Sequence, residues 1–198
     1  MRAGSAAVNA GKPGCRRCGH LCRVTAVLIR RESAADVPAV RQVIAAAFAQ
    51  GDSGGEPAVV TLLDELREDK AWLPEFSLVA EGPDGDVVGH VLCTRGHVDA
   101  APVLALGPIG VRPDRQRGGV GSALVHAVLG AADARDEPMV VLLGDPRYYS
   151  RFGFRLAGEY GVTPPVAGWL PHFQVRTLTA YSPALYGAFA YPEPFDRV

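Results

Sequence analysis

A chain of 198 residues, 48% apolar and 21% charged, has the composition of an ordinary globular protein with room for one domain and its appendages. Its longest apolar runs, such as Met139-Val140-Val141-Leu142-Leu143, fall far short of the ~18 residues needed to cross a bilayer, which excludes a membrane-spanning chain. A net charge of −1 argues against a bulk nucleic-acid binder, and the periodic apolar runs argue against disorder over most of the chain.

The charge is unevenly spread. Arg2, Lys12, Arg16, Arg17 and Arg23 fall within residues 1–24, which carry no acid, so the rest of the chain holds −6. That balance steers cationic partners and fits an amine substrate. Residues 1–24 lack the continuous apolar stretch of a secretory signal, their basic, acid-free composition overlaps that of organelle transit peptides, and they read as a disordered basic tail. Cys15, Cys18 and Cys22 with His20 have zinc-ligand spacing. They crowd into eight residues with no partner pair downstream, however, and the segment reads as an upstream extension without metal. Cys93 stands alone in an apolar strand pattern and reads as a buried small hydrophobe. Nothing in the cysteine usage requires an oxidising compartment, so the expected location is cytoplasmic.

From residue 26 the pattern becomes regular. Residues 26–30 read as a strand, and Ser33-Ala34-Ala35-Asp36 is a capping-box start to a helix with Val37, Val40, Ile44, Ala47 and Phe48 on one face. Pro38 falls in its first turn, where it costs little. A glycine-rich break at residues 51–55 precedes a second amphipathic helix over 57–69, with Pro57 at its first position and Val59, Leu62, Leu63 and Leu66 apolar. Residues 77–81 and 87–93 are strands of a hairpin closed by Gly82-Pro83-Asp84-Gly85-Asp86. A third run, 103–111, leads through a polar loop into a helix over 119–134 with Val120, Leu124, Val128 and Ala131 in line. Residues 139–143 form a fully apolar strand, Asp145-Pro146 starts a short helix ending near Gly153, and residues 173–178 read as the last strand. Hairpin-linked strands interleaved with helices define an α/β class whose sheet is mixed and mostly antiparallel, flanked by helices.

The segment richest in chemistry joins the third run to its helix. Glycines at a helix start let the backbone approach a ligand closely, while orphan N–H groups and the positive end of the helix dipole favour a phosphate. Arg115 and Arg117 add side-chain charge. The loop has neither the Gly-Lys-Ser/Thr of an ATP-type phosphate loop nor a Gly-x-Gly-x-x-Gly turn in a parallel unit, which leaves a phosphate or pyrophosphate ligand of another kind or a plain tight connection.

Gln116-Arg117-Gly118-Gly119-Val120-Gly121 resembles the Gln/Arg-x-x-Gly-x-Gly/Ala signature of the GNAT superfamily of acyl-CoA-dependent N-acetyltransferases. Val111-Arg112-Pro113 before it, and Gly153-Phe154 in Tyr148-Tyr149-Ser150-Arg151-Phe152-Gly153-Phe154 after it, resemble that family's flanking elements, as does the element order over about residues 26–180. Leu106-Gly107-Pro108, Gly144-Asp145-Pro146-Arg147-Tyr148-Tyr149 and the ending Tyr191-Pro192-Glu193-Pro194-Phe195 are similar to a bacterial branch. The resemblance implies a tail (1–24), an acetyltransferase domain (25–180) and an extension packed on it (181–198). It implies acetyl-CoA as co-substrate and no metal. The backbone of Ile109, Gly110 and Val111 would pair with the pantetheine arm, and the loop from Gln116 to Gly121, with Ser122, would hold the pyrophosphate, with no bulky side chain tolerated at Gly119 or Gly121. Tyr149 would be the general acid that reprotonates the departing thiolate, with Tyr148 packing at a helix edge. Arg117 stands where the family often has Gly, and Asp145 where many members have Asn.

The acceptor would be a small-molecule or peptide primary amine that attacks directly, and it must be neutral to do so. Glu56, Glu81, His90, His97 and Asp99 are the candidate bases by position, each also readable as a solvated or locally bonded residue. Trp72, Trp169 and Tyr160 are candidates for the acceptor pocket, with residues 158–171 as a loop over it. Two other classes stand beside this one: a coenzyme-A-binding regulatory module without catalysis, and a zinc-dependent interaction module centred on the tail. Residues 183–195, apolar and aromatic, read as a segment that covers a sheet edge or meets a partner such as a second copy of the chain.

Overall fold

The computed structural model describes residues 27–49 and 56–197; the basic tail with its cysteines, and the glycine-rich break, lie outside them. The chain runs β1 (Leu28–Arg31), α1 (Val37–Phe48), α2 (Ala58–Glu68), β2 (Ser77–Glu81), β3 (Val87–Val98), β4 (Ala101–Val111), α3 (Val120–Asp133), β5 (Met139–Leu143), α4 (Pro146–Tyr149), β6 (Arg155–Leu156), β7 (Val162–Thr163), β8 (Phe173–Thr177) and β9 (Gly187–Ala190). The main sheet has the order β1-β2-β3-β4-β5-β8-β6. Its pairs are antiparallel except β4 with β5, so the sheet is mixed and mostly antiparallel, as expected.

Local chemistry explains where the elements start and turn. Ser33 and Asp36 close the expected capping box, with the Ser33 N–H and hydroxyl both donating to Asp36, and the first turn is 3₁₀ before α1 proper. Arg30 forks onto both oxygens of Asp36 at 2.7 and 2.8 Å, and with Ser33 it holds that carboxyl far below the ordinary range. The hairpin turn is closed by Gly82 N–H to Asp86 O (2.8 Å) and Gly85 N–H to Gly82 O (3.0 Å). Pro57 proves to be the N-cap of α2 rather than its first helical residue.

Two layers of helix enclose the sheet. On one face α3 buries Val120, Leu124, Val125 and Val128 against Val91, Cys93 and the rest of that side. On the other, α1 and α2 bury Val40, Ile44, Leu63 and Leu66 against Val79 and Leu92. Burial pushes the Cys93 thiol well above its ordinary range, which keeps it a neutral core residue. Residues 173–177 are not the last strand: β9 follows, pairing antiparallel with the end of β3 and parallel with β7. The 3₁₀ turn Glu193–Arg197 then returns the chain to α2, where Phe195 packs on that helical layer.

Candidate active site

The site begins where two neighbouring strands part. β4 pairs with β5 only through Leu104 with Val140 and Ala105 with Val141. At Gly107-Pro108 the β3–β4 register slips by one residue, and Pro108 has no N–H to give to a ladder. Beyond this point β4 keeps β3 on one side, while β5 ends at Leu143 and turns away. The edge of β4 over residues 106–111 is left without a strand partner on the β5 side, and two clefts open along it.

The first cleft, about 660 Å³, lies between Ile109, Gly110 and Val111 of β4 and the start of α3, with Ala47 and Phe48 of α1 on one wall. The apolar stripe of α1 is thus divided: Val40 and Ile44 enter the core, while Phe48 remains 38% exposed and faces the cleft. At its other end the loop has left-handed backbone at Arg117 (φ 61°) and at Gly119 (φ 88°), which is the N-cap of α3. Only glycine adopts this conformation without cost, which accounts for the residue at 119 and makes Arg117 an exception at the position where the family often has Gly. The first amides of α3, those of Val120, Gly121 and Ser122, have no intrahelical acceptor, and the positive end of a 14-residue helix stands behind them. Gln116 donates from its side-chain amide to Val111 O (3.0 Å), so its side chain ties the loop to the end of β4. Gly118 and Val120 complete the turn, with Val120 buried beneath it.

Arginine supplies the charge of this cleft, from a different set than the sequence pattern suggests. Arg117 lines it, Arg115 instead pairs with Asp114, and Arg151 joins Arg117. Arg151 lies 4.8 Å over the Tyr148 ring and donates to Tyr148 O (2.9 Å). Tyr148 is therefore more than edge packing: it lines the cleft, and a Cβ at Gly121 would come within 3.0 Å of its hydroxyl.

The second cleft, about 760 Å³, meets the first at Phe48 and Ile109 and passes between Leu106 on β4 and Leu143 on β5. Tyr149 stands in it. Asp145 caps α4 by accepting from Arg147 N–H (2.9 Å), and the consecutive residues Tyr148 and Tyr149 then point one into each cleft, their rings perpendicular at 4.9 Å. Burial, with a smaller contribution from Tyr148, pushes the Tyr149 phenol up to about 12. The Tyr149 ring lies against Gly144, where a Cβ would approach its Cδ2 to 2.8 Å and its Cε2 more closely still. Gly144 itself is fixed: its N–H donates to His172 O (2.9 Å), and its carbonyl accepts from the buried Gln174 amide (2.9 Å).

None of the candidate bases reaches either cleft. Glu56 pairs with Arg41 (2.9 Å), Glu81 with Arg30 (2.7 Å), and Asp99 accepts from Ala188 N–H (3.0 Å). His97 sits at the β3 end, in register with Pro102 and Ala190. His90 is fully buried beside Ser77 and Glu32, where desolvation lowers its pKa against the pull of the Glu32 hydrogen bond. The carboxylates that do line the second cleft are Asp145 and Asp196. Of the aromatic candidates, Trp169 lines it with Pro165 and Val166 of the expected covering loop. Trp72 instead packs beside α2 under Arg67, and Tyr160 packs on Tyr181. Among the described residues no group of three His, Cys, Asp or Glu is placed to hold a metal ion, and no helix is long and apolar enough to cross a membrane.

A strand edge left open beside a glycine-led helix start suits an extended ligand that ends in phosphates, and comparison with known proteins shows the family. The model of the acetyltransferase (GNAT) domain family matches residues 28–157, and the chain belongs to this family of N-acetyltransferases. It is 30% identical over 174 residues, 86% of this chain and 99% of the other, to the uncharacterized N-acetyltransferase YhbS of Escherichia coli K12. The crystal structure of E. coli YhbS in complex with CoA superposes with a TM-score of 0.78 at 29% identity, covering 86% of this chain and 92% of that one. A GNAT family acetyltransferase from Brucella melitensis in complex with acetyl-CoA gives 0.70 at 32% identity over 87% and 99% of the two chains.

Proposed function

We propose that the chain transfers acetyl from acetyl-CoA to a primary amine by direct attack, with Tyr149 as the general acid. Support comes from the family, from the CoA and acetyl-CoA carried by the two similar structures, and from the joined clefts. The observation that carries the reading is that join: a basic cleft at the head of α3 runs into an acidic, largely apolar one at Ile109 and Phe48, with Tyr149 beside the meeting point.

In this reading the phosphates lie on the amides of residues 119–122 with Arg117 and Arg151 near, and the pantetheine arm follows the open edge of Ile109 to Val111. The thioester carbonyl then lies between the clefts. A neutral amine adds to it, the carbon–sulfur bond breaks, and the sulfur leaves as a thiolate that takes the Tyr149 proton. The nitrogen loses its extra proton to solvent and the phenolate is reprotonated from solvent, so the products are the amide and free CoA thiol. A phenol pushed up to about 12 is fully protonated before the step, as a donor must be. A thiolate forming beside Tyr149 is destabilised by the same burial, which narrows the difference in acidity between donor and acceptor.

The test is calorimetric and thermal-shift titration with acetyl-CoA and CoA, comparing wild type with Gly119→Glu. Binding to the native state alone stabilises it by roughly 2.7 kcal/mol at a hundredfold excess over Kd. The variant, folded but carrying a carboxylate at the helix start, loses most of that shift. A folded wild type that binds neither ligand refutes the reading, and binding without turnover of any amine assigns the chain to a regulatory module.

A further inference from the structure

The second cleft has a chemistry of its own. Its far wall is aromatic and is assembled from distant segments: the Trp169 ring meets Tyr191 at 6.2 Å between centroids, and Tyr191 meets Phe195 at 4.6 Å, tilted by 34°. Val59, Leu62 and Val166 extend this apolar surface. Among the described residues the lining includes no Lys, Arg or His, so its only ionised groups are Asp145 and Asp196. Asp145 is already engaged by Arg147, through Nη2 at 2.8 Å and through Nε. Asp196, at the exposed rim, makes no ion pair among the described residues, while its neighbour Arg197 turns away to Glu65 and Glu193. Burial pushes the Tyr191 phenol above its ordinary range and so keeps it neutral.

We infer that the acceptor is a monoamine whose non-reacting end is an aryl or bulky alkyl group, seated on Trp169, Tyr191 and Phe195 and drawn in as its ammonium by Asp196. This inference rests on the acetyl-transfer reading. Each alternative class of amine leaves a cost unmet. An amino acid brings a carboxylate to a cleft whose lining, among the described residues, holds two carboxylates and no cation, Arg147 being engaged by Asp145 outside it. A polyamine or aminoglycoside brings more ammonium or hydroxyl groups than two carboxylates can meet, and the rest of the lining is mostly apolar. An aryl face instead gains contact area against the aromatic wall, while its single ammonium meets Asp196.

The experiment measures kcat/KM, by thiol release at saturating acetyl-CoA, for 2-phenethylamine, n-hexylamine, L-phenylalanine, spermidine and kanamycin. The two apolar monoamines are expected to exceed the other three by about tenfold or more, a difference of the size that one unmatched charge or polar group produces. L-phenylalanine against 2-phenethylamine isolates the carboxylate on a constant aryl body. Trp169→Ala is expected to raise KM for 2-phenethylamine about tenfold while the KM for acetyl-CoA changes less than twofold. Val166→Lys changes a rim residue that is 47% exposed and can be replaced without disturbing the core. It is expected to lower kcat/KM for 2-phenethylamine and raise it for L-phenylalanine. Spermidine or kanamycin as the preferred acceptor, or a Val166→Lys variant that leaves the ranking unchanged, overturns the inference alone. Absence of acetyl-CoA binding and of turnover with every amine instead overturns the acetyl-transfer reading beneath it.

Discussion

Gly144→Ala tests whether Tyr149 must lie where the structure puts it. The added methyl would meet two carbons of the Tyr149 ring inside the 3.0 Å that real Cβ contacts essentially never cross, and Leu142 Cδ1 at 3.3 Å. The backbone at 144 cannot easily yield, because its N–H and its carbonyl are both committed, to His172 O and to Gln174. The ring must therefore retreat. A shift of roughly 0.5–1 Å in a catalytic group corresponds to a loss of about 10-fold to 10²-fold in rate. Overpacking of this kind also costs about 1–3 kcal/mol of stability, which in a chain of this size lowers Tm by roughly 3–10 °C. The assay is steady-state thiol release at saturating acetyl-CoA with the best amine of the panel, alongside the CoA-induced thermal shift. The expectation is a kcat reduced about 10-fold to 10²-fold with the CoA shift retained, since Gly144 lies outside the first cleft. Tyr149→Phe should lower kcat by about 10²-fold or more, and the double variant should be no slower than Tyr149→Phe, because two changes that act through one group do not add. A Gly144→Ala kcat within twofold of wild type, or a double variant that multiplies the two losses, refutes the argument.

Three further outcomes follow from groups already described. Because burial pushes the Tyr149 phenol up to about 12, kcat/KM should rise with pH as the amine loses its proton and show no falling limb below pH ~10; a fall near pH 9 would disqualify this tyrosine. At Glu32 burial is outweighed by hydrogen bonds from His90 and Ser77 and by the Arg67 charge (2.7 Å), which together take the carboxyl down to about 2. Its contribution is fully present above the ordinary carboxylate pKa of about 4.3 and is lost as pH falls toward 2, while His90, held neutral by burial, adds a loss that begins below its own ordinary value. Urea unfolding across pH 7 to 3 should show this slope, and Glu32→Gln should flatten its lower part; equal slopes would contradict the assignment. Leu124→Ala, in a fully buried position between α3 and the sheet, should cost about 2–5 kcal/mol of unfolding free energy, and a loss under 1 kcal/mol would mean that α3 is not packed as described.

What could be read in the sequence was local. The 82–86 turn, the capping box at Ser33 and Asp36, the glycines of residues 118–121 and the Asp145 cap each act over a few residues, and each is where the pattern put it. What could not be read was set by pairings far apart in the chain. Glu81 looked like a usable base until Arg30, 51 residues earlier, came to lie beside it across the β1–β2 pair. β9 is four residues of small and aromatic side chains whose identity as a strand depends on the end of β3 lying open to it. The second cleft is the extreme case, since Val59, Leu106, Gly144, Trp169 and Phe195 share no local pattern. Arg151 carried a weak signal, three residues after Tyr148 and so within reach of its ring, that charge counting on the loop alone passed over.

The two clefts divide charge in the way the reaction would use it. A cofactor that carries several phosphates belongs with Arg117, Arg151 and the head of α3, and an amine that arrives protonated belongs with Asp196. Held on one continuous surface, these charges would neutralise each other. They are kept apart by the splay of β4 from β5, which places Ile109 and Phe48 at the junction. Ile109 and Phe48 make that junction apolar, and a hydrogen bond that Tyr149 offers in a less polar setting is stronger than one offered in water. Phe48 is therefore the last residue of the α1 stripe and a wall of the site at once. The amphipathic pattern that fastens α1 to the sheet through Val40 and Ile44 also delivers, one turn after Ile44, the side chain at the junction of the basic cleft and the acidic one.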